Sequence, residues 1–199
     1  MKFQLERFLV FSDALFAIAI ALLIINIKPP NLENGISFGN ALLVLNTRTP
    51  IIIGSIISFY FIALYWTRHH DLMKYAIAYD KKMIVFNFIL LLLLAFIPFA
   101  TAFVFENTAS RSSLPLILYN LTHIGICVVS YKMYVYLLNP EHKLCSEINT
   151  SETLHTEKEI VFSILVYVVV IIIALINPSI APMGYALFGI MDLTVKKLF

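Results

Sequence analysis

The chain has 199 residues, 60% hydrophobic and 13% charged, where a soluble globular domain has about 45–50% and about 25%. Its mean hydropathy of +0.89 comes from several long apolar blocks, which excludes a water-soluble domain and argues against a secreted protein with a cleavable leader or a single-anchor protein. A net charge of only +2, with no basic face interleaved with aromatics, leaves no nucleic acid expected among the partners.

A membrane helix needs ~20 predominantly apolar residues to cross ~30 Å of hydrocarbon. Six windows of this kind follow one another. The first runs from about Phe8 to Ile27 and stops at Lys28-Pro29-Pro30, where the prolines cannot continue a helix. Ile36 to Leu45 is apolar but too short to cross, and reads as an interfacial helix or an extension of the next span. The second span begins near Pro50, a good first helical residue, and ends in Trp66-Thr67-Arg68-His69-His70. Met83 to Phe105 is the third and Leu114 to Leu138 the fourth, before Asn139-Pro140. The stretch from about 139 to 159, rich in Ser, Thr, Glu and Lys, reads as a linker without a core of its own. Ile160 to Ile176 is the fifth span, and a sixth, broken by Pro178, Pro182, Gly184 and Gly189, ends at Lys196-Lys197.

Lys and Arg accumulate at the cytoplasmic ends of spans. Placing both termini inside leaves only Lys28, Arg48 and Arg111 outside. The expected fold is therefore all-α: a polytopic membrane protein of six transmembrane helices with cytoplasmic termini, multi-pass in the cell (inner) membrane, residues 1–199 forming one domain. Cys127 and Cys145 form neither a CxxC nor a Cys/His cluster, so no disulfide framework or zinc site is implied.

The first span is odd for lipid because Arg7, Ser12 and Asp13 lie within it or at its edge. Such groups pair or line a wet path. Two readings stay open: an interfacial Arg7–Asp13 salt bridge in water, or a buried polar knot joined by Trp66, His69, His70, Asp80 and Asn87 from the inner ends of spans two and three. Above Asp13, Ile18, Leu22 and Ile25 share one face, with Ala14 and Ala21 beside them. Periodicity alone does not separate packing or lipid contact from a dewetting constriction in a pore.

Arg7-x-x-x-Phe11-Ser12-Asp13, followed by Ala14-Leu15-Phe16-Ala17-Ile18, resembles the RxxxFSD signature of the transmembrane protein 175 family of potassium channels. Trp66, the His69-His70 pair, Asp80, Asn87 and Pro98-Phe99-x-Thr101 also resemble family positions, so the likeness covers the first half of the chain. It implies a potassium-permeable cation channel whose pore is lined by the first helix of each subunit. Ile18 would be its main hydrophobic constriction, with Leu22 and Ile25 the next layers outward. Arg7, Phe11, Ser12, Asp13, Trp66, His69, His70 and Asp80 would hold the pore helix in place. It further implies a homotetramer in membrane lipid, since animal members resemble two fused copies of the unit found once here. Potassium and other monovalent cations would be the permeant species, with no cofactor. Ala21 and Asn26 stand where family members often have Thr and an acidic residue, so cation attraction along the pore is expected to be weaker.

No TVGYG loop of carbonyls is present, and Met183-Gly184-Tyr185-Ala186 lacks the preceding Thr-Val. His69, His70 and His123 prompt a redox or metal reading, but adjacent histidines on a helix diverge by about 100° and His123 lies mid-span. A secondary transporter of a small ion or solute is the principal alternative, although inverted repeats are not visible. A non-conducting assembly factor is a third. Asn149-Thr150-Ser151 fits a glycosylation sequon but falls in the linker. With no nucleophile–base pair, phosphate loop or paired catalytic carboxylates, no enzyme is expected.

Overall fold

The computed structural model describes residues 2–32, 35–108, 110, 112–145 and 150–188. Six α-helices occur among them: α1 (Lys2–Ile25), α2 (Phe38–Asn46), α3 (Thr49–Met73), α4 (Lys81–Glu106), α5 (Leu114–Leu138) and α6 (Thr150–Ile176). Short 3₁₀ helices follow α5, at Pro140–His142, and α6, at Ala181–Ala186. Five helices, α1 and α3 to α6, are long and apolar enough to cross a membrane. The molecule is a multi-pass all-α membrane protein.

The helix starts follow local chemistry. Pro50 and Pro115 occupy the first turns of α3 and α5, where a missing N–H costs nothing. Asp80 caps α4 by accepting from the Met83 N–H at 2.8 Å, and Ser37 caps α2 by accepting from Asn40 N–H. Pro98 lies inside α4 and is buried against neighbouring helices, the setting in which a membrane helix tolerates proline. The segment read as interfacial or as part of span two is a separate helix, α2, with no buried residue.

Helix α4 packs along α5, α5 along α6, and α1 against both α3 and α4. The core is built from Phe16 and Leu23 of α1, Ile62 of α3, Leu94 and Ile97 of α4, and Ile126 of α5. Gly54 of α3 lets the Phe105 ring come so close that a Cβ there would sit 2.1 Å from it. This is the tightest helix approach among the described glycines.

One expectation is refined. The stretch 139–159, without a core of its own, docks on the bundle and is partly helical: Leu144 is buried in the main core, its carbonyl accepts the Ile77 N–H at 2.9 Å, and α6 already begins at Thr150. One apolar residue in a polar run suffices to dock that run, with Lys143 in the left-handed region at φ 54° making the turn. The region expected as a sixth span is, as far as residue 188, a turn at 178–180, the Ala181–Ala186 3₁₀ helix and two α-helical residues, 187 and 188; residues 189–199 lie outside those described.

Candidate pore-lining helix and its polar anchor

Helix α1 has two unlike faces. Ser12, Phe16, Ala19 and Leu23 recur at helical spacing and are buried. On the opposite side Phe11, Ile18 and Ile25 are 45%, 51% and 70% exposed, with Ala14, Ala17 and Ala21 exposed between them. Leu22 lies at the border, half-buried. Only 22% of the residues in the most apolar stretch of α1 are buried, against 33% to 44% in the other four spans, so α1 has the most free surface.

The buried face is anchored by a directed chain of hydrogen bonds. Ser12 Oγ donates to the Phe8 carbonyl at 3.0 Å, and Asn87 Nδ2 donates to Ser12 Oγ at 2.8 Å. With its amide nitrogen so engaged, Asn87 Oδ1 accepts from His69 Nε2 at 3.0 Å, which fixes the proton on that ring nitrogen. Phe16 packs against the His69 ring at 5.5 Å. One residue along α1, Asp13 accepts the Trp66 indole N–H at 2.9 Å, and His70 stacks on that indole at 5.6 Å. Three helices, α1, α3 and α4, are thus tied at one level.

Ser12, His69 and Asn87 therefore come together buried, as the knot reading supposed, while Asp13 and Trp66 pair at an exposed edge beside them. His70 joins only by stacking and is exposed, while His69 points inward, so the two rings diverge. Phe11 lies edge-on to Phe88 of α4 at 5.7 Å, and Phe8 stacks on Tyr79 at 4.8 Å. Arg7 borders an open hollow with Phe8, Phe11 and Tyr79. Asp80 stands apart from the knot: it caps α4 and accepts the Tyr136 hydroxyl of α5. Burial opposes its charge, but the Tyr136 hydroxyl, the Met83 and Lys82 N–H groups and His142 more than offset this and hold the carboxyl below its usual value.

A second set of polar side chains, of which sequence reasoning had singled out only His123 and Thr101, lies elsewhere in the bundle. Arg68, read only as an inner-end charge, points inward to Glu159 of α6 at 3.3 Å and donates to Ser163 Oγ at 3.3 Å. Deeper, the Tyr65 hydroxyl bonds His123 Nδ1 at 2.7 Å and the Tyr167 hydroxyl at 2.8 Å. Ser58 bonds Thr101 at 2.7 Å and Tyr119 at 3.0 Å. The signal was available: Ser55, Ser58, Tyr65 and Arg68 fall on one face of α3. Thr101 and Asn87 both make the interhelical bonds that are the common role of such groups in membranes.

Residues 7–98 match the family model described as endosomal/lysosomal potassium channel TMEM175. A potassium channel of Streptomyces collinus is 25% identical over 185 residues, 92% of this chain and 87% of that protein. Over its first half the chain is similar to the TMEM175 family. A potassium channel of Chamaesiphon minutus is 35% identical over 98 residues, 48% of this chain and 47% of that protein. The crystal structure of a lysosomal potassium-selective channel TMEM175 homolog from Chamaesiphon minutus superposes with a TM-score of 0.80 at 23% identity, covering 96% of this chain and 98% of that one. This likeness shows that the TMEM175 fold extends over α5 and α6, beyond the region matched by the family model. The matched region contains every member of the α1–α3–α4 anchor. The relatives that the chain matches are named as potassium channels.

Proposed function

We propose that the protein is a potassium-permeable cation channel of the cell membrane, assembled as a homotetramer around a central pore lined by α1. The observation that carries this reading is the free face of α1: branched apolar side chains alternate with alanines on the least buried span, while the opposite face is bolted down by hydrogen bonds. Closed rotational symmetry brings the same face of each copy to one axis. Alanines at positions 14, 17 and 21 leave room for close approach of the copies.

Ile18 forms the constriction in this reading, with Leu22 and Ile25 as wider layers beyond it. Four isoleucine side chains around an axis make a dry ring that a hydrated ion crosses only by widening it or shedding water. Potassium sheds water more readily than sodium, so such a ring favours it modestly without backbone carbonyls. Ser12, Asp13, Trp66, His69 and Asn87 act on the pore by fixing the rotation of α1, and residues 1–199 work as one domain with no cofactor. Homologues named as potassium channels along most of the chain support the reading.

The test is bi-ionic potassium against sodium current in planar bilayers, using protein whose oligomeric mass has been determined in detergent. Ile18→Asn should enlarge the current and lower its potassium preference, in particles of four 22.6 kDa chains. Currents indifferent to Ile18 would remove it from the pore. Coupled uptake without a channel-like current would favour a transporter.

A further inference from the structure

At the Lys-rich end of the bundle an open groove lies between the first turns of α4 and the last turns of α5. Its walls are Lys82, Phe86, Lys132, Val135, Tyr136 and His142, with Tyr131 and Asn139 at its margins. Lys82 is laid across the floor, its Nζ 4.6 Å from the Tyr136 ring centre and 5.9 Å from that of Phe86, while Lys132 is exposed one turn before Tyr136. His142 Nδ1–H donates to the Tyr136 carbonyl at 2.9 Å, which holds the imidazole against the same ring. Two nearby carboxylates are engaged behind these walls, Asp80 by the Tyr136 hydroxyl and the Met83 N–H and Glu157 by the Tyr131 hydroxyl at 3.0 Å, while Glu141 is exposed next to His142 and does not line the groove. The groove itself is lined by two ammonium groups and no carboxylate.

An apolar track leads away from it. Val135, Val128 and Leu121 are 50%, 37% and 53% exposed and lie seven residues apart on one face of α5. Fourteen helical residues rise about 21 Å, more than the ~15 Å of hydrocarbon in one leaflet. A basic pocket between helix ends, opening onto an apolar stripe of that length, is complementary to a molecule with an anionic head and an alkyl tail. The geometry points to a binding site for an anionic phospholipid, its headgroup phosphate between Lys82 and Lys132 and one acyl chain along Val135, Val128 and Leu121. The apolar track is what selects a lipid over soluble phosphate. The positive-inside rule puts this end in the cytoplasmic leaflet, where anionic headgroups attract basic residues. The site does not depend on the channel reading, because lipid retention is measured without current.

The experiment is native mass spectrometry of the delipidated full-length protein titrated with phosphatidylglycerol or phosphatidylcholine. The wild type should hold phosphatidylglycerol about tenfold more tightly, and Lys82→Gln with Lys132→Gln should remove that preference. The paired Lys→Arg variant should retain it, and Lys28→Gln, expected at the other end of the bundle, should not alter it. Equal retention of the two lipids, an unaffected double Gln variant, or an equal loss with Lys28→Gln overturns the proposal. Displacement of phosphatidylglycerol by millimolar inorganic phosphate also overturns it, by making the groove a soluble-phosphate site. If the double Gln variant does not fold, Val135→Glu decides: a carboxylate in the groove should expel the lipid, and undiminished retention sinks the idea.

Discussion

Asn87 shows how one amide can orient a whole helix. It donates an N–H to Ser12 and accepts from the His69 Nε2–H, so replacing it with Leu leaves a buried imidazole N–H without its acceptor and the Ser12 oxygen without a donor, its own bond to the Phe8 carbonyl remaining. Interhelical hydrogen bonds in membranes average about 0.6 and reach about 1.7 kcal/mol. Losing two should cost about 1–2 kcal/mol, seen as a lower melting temperature in detergent, whereas Asp13→Asn, which keeps an acceptor for Trp66, should melt close to wild type. Asp80 makes a different prediction, in pH. Its folded-state value is depressed, so its stabilising contribution is present above the unfolded value of about 3.8 and is lost as pH falls through the lower folded value. The melting temperature should therefore drop below about pH 4, and Asp80→Asn should flatten that part of the profile.

At the scale of elements, the junction of α3 with α6 rests on Arg68, which is 8% exposed, and Glu159, which is 23% exposed. Removing one member of a buried pair strands the other, while replacing both by apolar groups restores a neutral contact. Arg68→Met should destabilise by about 2 kcal/mol, below the fully buried limit because Glu159 retains some water, and Arg68→Met with Glu159→Met should recover most of it. A denaturation cycle over the four proteins measures this; a double variant no more stable than the single one would count against it. The close approach of Phe105 to Gly54 and the docking of Leu144 beside α3 do similar work with shape instead of charge. Both hold the bundle behind α1 while leaving the outer face of α1 free.

For the whole molecule, that free face is what an assembly would use. In the proposed tetramer Ala21 sits beside the Ile18 and Leu22 layers and offers no hydroxyl to a passing cation. Ala21→Thr should add a polar ring there and increase the potassium-over-sodium permeability ratio in bilayers without changing the oligomeric mass. An unchanged ratio would place position 21 away from the ion path. The described residues thus divide into a packed bundle, α3 to α6, and α1, held to it by the polar anchor around Ser12 and by Ser55 Oγ on the Leu23 carbonyl.

The sequence by itself determined membrane class and four of the span positions to within a few residues, and it carried a resemblance to one family. These depend on composition over ~20 residues and on a short motif, Arg7 to Asp13, both local properties. The meeting of Ser12, Asp13, Trp66, His69 and Asn87 was legible as an open alternative because unpaired polar groups in lipid must find one another. The tertiary structure alone decided that Arg68 turns inward, that Asp80 leaves the knot to serve α4 and Tyr136, and that Leu144 docks a polar stretch. It also decided which side of α1 stays uncovered. The reason is physical: a membrane helix is apolar all round, so periodicity that marks the buried face of a soluble helix is erased, and only the neighbours that pack against it reveal which face is core.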